Sequence, residues 1–162
     1  MPHDVVVRER PAILVVSKRL PVRIPEMGAT LQTSFGEVYG ALGARGVATE
    51  GPPFVIYHQR PVEDEPFDIE ICAPVARRTD PPAGWRMQEL PAGSFASLEH
   101  VGPYDTIGEA YERLLAWVSE HGSTVSGPPR EAYLSGPGTE PERIRTIVEL
   151  PIVAHATRAP AG

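Results

Sequence analysis

In FDIEICA, residues 67–73, apolar side chains alternate with Asp68, Glu70 and Cys72. That period is a β-strand's, so Phe67, Ile69, Ile71 and Ala73 are expected beneath helices and the other three on the opposite face. Glu70 then sits mid-strand, far from either turn. A carboxylate on a concave sheet face can anchor a cationic ligand, and partial burial is expected to raise its pKa and suit it to proton transfer. The competing expectation is a solvated outer face, common in antiparallel sheets. Tyr57 and Tyr133 each follow a Gly-Pro-Pro turn at the same offset, in GPPFVIYH (51–58) and GPPREAYL (127–134). Such a pair can offer ring faces to a flat or cationic ligand, or simply pack in the core. Trp85 is placed either to cover such a site or to sit in an ordinary surface loop.

Other chemistry is sparse. Cys72 shares the face of Glu70, but no histidine is placed by spacing to act as its base, so an inert buried thiol is expected. His3, His58, His100, His121 and His155 show no metal-ligand pairing, and Ser, His and Asp residues form no recognisable nucleophilic constellation. The Gly-Pro-Pro turns offer too few amide donors to cradle phosphate. No metal and no cofactor is therefore expected. A formal charge of −6 and a pI near 5.4 argue against direct nucleic-acid binding and favour cationic partners. The single cysteine excludes an internal disulfide. No apolar run approaches membrane-spanning length and MPHDVVVRER lacks a signal-peptide core, so a cytoplasmic protein without membrane contact is expected.

These residues need a scaffold. The aliphatic runs within residues 4–19 predict a first strand region, bent or bulged at Pro11. Met27, Leu31, Phe35, Val38 and Leu42 share a face at helical spacing, and Gly46 is placed to stop that helix. Phe54–His58 and Phe67–Val75 read as strands, joined by the acidic loop QRPVEDEP. In the second half, Met87–Leu90 and Phe95–His100 read as strands. Thr106 with Glu109 has the spacing of a capping box. Ile107, Ala110, Tyr111, Leu114, Leu115 and Val118 form the apolar stripe of a second helix, which Gly122 ends. Ala132–Leu134 and Ile144–Ile152 supply the last strands. Tyr104 is expected to fix the Gly-Pro-Tyr corner and Trp117 to pack on the sheet.

The halves match in order. FGEVYGAL (35–42) aligns with IGEAYERL (107–114), GPPFVIYH with GPPREAYL, and EICAPV (70–75) with IVELPI (147–152). The order predicts an α+β fold of duplicated β-α-β-β units with antiparallel sheet. A ligand groove is expected at the pseudo-two-fold seam. One domain is expected over 1–162, with repeat one at about 4–75, a linker at about 76–84, repeat two at about 85–154 and a loose tail at 155–162.

His100-Val101-Gly102-Pro103-Tyr104, the helix carrying Ala110-Tyr111 and Trp117, Tyr133-Leu134 and the closing Leu150-Pro151-Ile152 resemble the GyrI-like family. That family is also called the bacterial transcription-activator effector-binding domain, and the resemblance spans about residues 4–154. It implies the duplicated fold with a ligand groove between the halves, and turns the expectation for Glu70 from a solvated face to that groove. The family often carries an acid in a Thr-Glu-aliphatic pattern in its last strand. Here Ile147 follows Thr146, with Glu149 two residues on, which leaves Glu70 as the expected buried acid and makes the site more apolar.

Only three residues precede the first strand region, leaving no room for a helix-turn-helix segment, so a stand-alone member is expected. The leading expectation is a multidrug-type binder of hydrophobic, aromatic or cationic small molecules. Glu70, Tyr57, Tyr133, Ile147 and Trp85 are its expected ligand contacts. The alternative is a hydrolase of reactive cyclopropane-bearing compounds, with Glu70 positioning water and Tyr133 or Tyr57 donating to the developing anion. The third is a protein-interaction module, a gyrase inhibitor or sensor partner, acting through the acidic 59–70 region.

Overall fold

A computed structural model describes residues 4–136 and 138–154 of the chain. In chain order its first elements are β1 (Val6–Arg10), β2 (Ile13–Val22), α1 (Met27–Ala44), β3 (Phe54–Tyr57), β4 (Phe67–Pro74) and β5 (Arg86–Leu90). Then follow β6 (Gly93–Val101), α2 (Gly108–Glu120), β7 (Ser123–Val125), β8 (Arg130–Tyr133) and β9 (Arg145–Ala154). The strand pairs are antiparallel, and the fold is α+β. His3, His155 and the tail at 155–162 lie outside the described residues.

The chain forms two compact units. One is continuous, Ala12–Pro91; the other joins the residues up to Pro11 to those from Ala92 onward. In the first, the strand order is β3-β4-β2-β5. In the second it is β8-β9-β6-β1, with β7 also pairing β9. Each unit thus carries one β-α-β-β core plus an edge strand, and the second has β7 in addition.

The pairing register shows the repeat residue by residue. Phe54 lies opposite Cys72 and Tyr57 opposite Ile69; Arg130 lies opposite Glu149 and Tyr133 opposite Thr146. These are the positions that the GPP and EICAPV/IVELPI alignments equate. Ser17 faces Cys72 as Ser97 faces Glu149.

The edge strands do not follow the sequence repeats. Residues 4–19, read as one strand region, divide into β1 and β2 at Pro11-Ala12, and β1 pairs with β6 while β2 pairs with β4 and β5. Proline has no N–H to give a ladder, so the run ends there and its two pieces take different partners. Likewise β5, read as the start of repeat two, pairs with β2 in the first unit. The segment at 76–84 runs between β4 and β5 inside that unit, where the Arg45 guanidinium donates to the Asp80 carbonyl.

Both helices bury the same i, i+4, i+8 stripe: Ser34, Val38 and Leu42 in α1, and Ala110, Leu114 and Val118 in α2. In α2 this stripe meets Ala96, Leu98, Val148, Leu150 and Ile152. Each fully buried Val, Leu or Ile contributes about 1.5–3 kcal/mol. Met27, Leu31 and Phe35, expected on the buried face, are only half-buried, and Leu115 is exposed, because the stripe drifts around the helix. Gly46 and Gly122 end the helices at φ +66° and +67°, a left-handed backbone that glycine adopts without strain.

The capping box does not form. Residues 104–106 make a 3₁₀ turn that extends the helix upstream of Thr106, so the Thr106 hydroxyl turns back. It donates to the Pro103 carbonyl at 2.9 Å and lies 3.1 Å from His100 Nε2. Together with Gly102 N–H, which donates to the Ile144 carbonyl at 2.8 Å, this sets the corner that presents Tyr104.

Candidate functional site

In the first unit, Glu70 is buried, with 3% of its surface exposed. One carboxylate oxygen accepts the Ser17 hydroxyl at 2.6 Å and the Gln88 amide, with Arg86 4.0 Å away. The other meets His58 Nε2 at 2.8 Å. Gln88 also donates to Ser17 Oγ at 2.8 Å. Ser17 comes from β2, Gln88 and Arg86 from β5, and His58 from just beyond β3, so one carboxylate ties together the strands around β4.

The expected rise in the Glu70 pKa is not found. Burial is the largest influence and pushes it up, but the hydrogen bonds from Ser17 and His58 and the charges of His58 and Arg86 outweigh burial. The carboxyl is held below the ordinary glutamate value. Such a group is a weak base whose oxygens already hold donors.

Tyr57 lies on the other face. Glu70 is opposite Ile56 and Arg19, whereas Tyr57 is opposite Ile69, and residues paired across strands share a face. The Tyr57 ring is stacked on Phe67 with centroids 6.5 Å apart. Trp85 is buried rather than a loop residue at the surface: its indole N–H donates to Glu37 on α1, and the Lys18 ammonium lies 5.8 Å from its ring centroid.

The second unit holds an acid that the sequence reading passed over. Glu131, 6% exposed on β8, accepts the Tyr111 hydroxyl at 2.6 Å and the Tyr133 hydroxyl at 3.0 Å. Tyr133 stands two residues along the same strand, on the same face, and Tyr111 comes down from α2. Tyr104, presented by the His100–Thr106 corner, meets the Tyr133 ring edge-on at 6.0 Å and 79°. Burial raises the Tyr104 phenol; the Thr146 hydroxyl opposes that rise and the Glu131 charge adds to it. Three tyrosines therefore gather around one buried carboxylate on the helix-covered face of this unit.

Ile147 lies opposite Ala132 and Glu99, hence on the face away from Glu131 and Tyr133. Glu149 shares the Ile147 face and is paired with the Arg10 guanidinium of β1. Of the residues anticipated in the second unit, Tyr133 alone joins the Glu131 cluster. The alignment held the signal: GPPREAYL against GPPFVIYH sets Glu131 against Val55, a fully buried position in the other copy. An acid where its twin is core is a desolvated acid.

A carboxylate that accepts phenol hydroxyls and is ringed by aromatic faces is suited to a cation, which gains both the charge and the ring quadrupoles. The model of the GyrI-like small molecule binding domain matches residues 3–153. The chain belongs to the GyrI-like family. It is similar to the EcmrR C-terminal domain in its crystal structure, at 26% identity and a TM-score of 0.82, covering 95% of this chain and 99% of that one. In the EcmrR–DNA complex, the chain spans 59% of the length of EcmrR. The fold also matches a hydrolase encoded by lin2189 from Listeria innocua, at a TM-score of 0.71 and 13% identity over 93% of this chain and 92% of that one. It matches SAV2435 bound to tetraphenylphosphonium at a TM-score of 0.64 and 13% identity, over 93% and 94%. No curated protein matches the sequence. Among the described residues, no helix is long and apolar enough to cross a membrane.

Proposed function

We propose that the protein binds lipophilic aromatic cations at Glu131, between the rings of Tyr104, Tyr111 and Tyr133. The observation that carries this reading is the buried Glu131 carboxylate accepting two tyrosine hydroxyls, with a third ring packed against one of them. Ring faces and one charge impose few demands on ligand shape, which suits a multidrug-type binder. The tetraphenylphosphonium held by SAV2435 supports the same class of ligand for a protein of this fold.

Glu70 does not fit the role of base in a ring-opening hydrolase. Its pKa is depressed, and a general base works best with a pKa near the operating pH. We assign it to holding its unit together instead.

The test is calorimetric titration of tetraphenylphosphonium, with triphenylphosphine oxide as a neutral comparison, into the wild type and Glu131→Gln. The cation is expected to lose about 10- to 100-fold in affinity and the oxide little, the usual range for a hydrogen bond or ion contact to a charged group. Equal losses for both ligands, or none, overturn the assignment.

A further inference from the structure

Tyr39 of α1 has a hydroxyl that is buried and has no hydrogen-bond partner among the described residues. A buried donor left in this way forfeits the hydrogen bond it made to water. Burial, with a smaller contribution from Cys72, pushes its phenol up to about 12, so it stays a protonated donor across the working pH range.

The repeat supplies the comparison. Tyr39 matches Tyr111 in FGEVYGAL and IGEAYERL, each one residue after a buried stripe position, Val38 or Ala110. In the second unit this tyrosine donates to Glu131, which lies opposite Val148. In the first unit the matching strand position, opposite Ile71, is Val55. Valine has no acceptor. The same tyrosine is thus built twice, and its acceptor only once.

We infer that Tyr39 is the donor of a second ligand subsite, in the first unit, for a neutral apolar molecule carrying one hydrogen-bond acceptor, such as an aromatic ketone. A cation gains nothing from a hydroxyl donor on which no carboxylate is seated. An anion is disfavoured by burial and by the overall charge of −6. The Phe35 ring, 6.3 Å from that of Tyr39 and tilted by 43°, offers an aromatic face to such a ligand. This inference stands apart from the Glu131 site, and the test below separates the two.

Acetophenone and its acceptor-free analogue ethylbenzene are titrated into protein carrying ring-labelled tyrosine, followed by NMR. The Tyr39 signal is assigned by its loss in Tyr39→Phe. Acetophenone is expected to shift that signal and to bind about 3- to 10-fold more tightly than ethylbenzene, the worth of one hydrogen bond. Tyr39→Phe, verified as folded by a cooperative melt, is expected to abolish that preference. Saturating tetraphenylphosphonium, and Glu131→Gln, are expected to leave it intact. A Tyr39 signal that does not respond to the ketone overturns the inference, as does a preference that survives in Tyr39→Phe. Loss of the response on adding tetraphenylphosphonium overturns the claim of a separate subsite.

Discussion

His58 Nε2 stands 2.8 Å from Glu70 Oε1, closing one side of a carboxylate whose other oxygen is held by Ser17 at 2.6 Å. The arrangement joins four consecutive strands of one unit through a single buried charge. Glu131, at the matching depth in the other unit, is held by phenols instead. The two acids are therefore expected to answer different experiments.

Because the Glu70 pKa is depressed in the folded state, its contribution to stability is fully present above the ordinary value of 4.5. It is lost as the pH falls below that value through the lowered native pKa. Glu70→Gln should flatten the acid limb of a plot of unfolding free energy against pH. At neutral pH it should cost about 1–3 kcal/mol, because an amide cannot accept from every donor now aimed at the carboxylate. Urea unfolding between pH 3 and 7 checks both points (a range chosen to span roughly two units around a glutamate's ordinary pKa). Tetraphenylphosphonium affinity should be unchanged in this variant.

At Tyr133 the ring and the hydroxyl are separable. Tyr133→Phe keeps the face that packs against Tyr104 and should stay within about threefold of wild-type cation affinity. Tyr133→Ala removes that face and should lose about tenfold, near the upper range for a cation–aromatic contact at a partly desolvated site. Titration calorimetry of the two variants decides which part of the residue recognises the ligand.

The backbone of α1 carries an avoidable weakness. A Cβ added at Gly36 or Gly40 meets nothing within 4 Å, and neither residue uses a left-handed backbone. Gly36→Ala and Gly40→Ala should each raise stability by up to about 1 kcal/mol, read as a higher urea midpoint with unchanged slope.

Trp85 fixes the end of the 76–84 segment to α1 through Glu37 and to β2 through Lys18. Trp85→Ala should cost about 3–5 kcal/mol in denaturant unfolding, the usual penalty for emptying so large a buried site. Cation affinity measured well below the melting temperature should be little changed.

What the sequence made legible was periodicity and repetition. The three aligned segments reappear in the strand register, and Gly46 and Gly122 stop the helices because the backbone there is left-handed. Pairing partners were not legible: β1 and β5 each join a strand chosen by contacts that local pattern does not encode. Tyr57 was misplaced for a related reason, since its face depends on lying opposite Ile69 rather than Glu70. Glu131 was overlooked because an acid beside Arg130 reads as surface until it is set against Val55.

The route of β1 bears on how the molecule is made. Residues 12–91 leave the ribosome as an unbroken piece holding α1 and all of β2–β5, the complete inventory of one unit. Val6–Arg10, synthesised earlier, pairs with Gly93–Val101, which does not yet exist while that piece emerges. Val6–Arg10 has no partner to pair with until Gly93–Val101 follows it out.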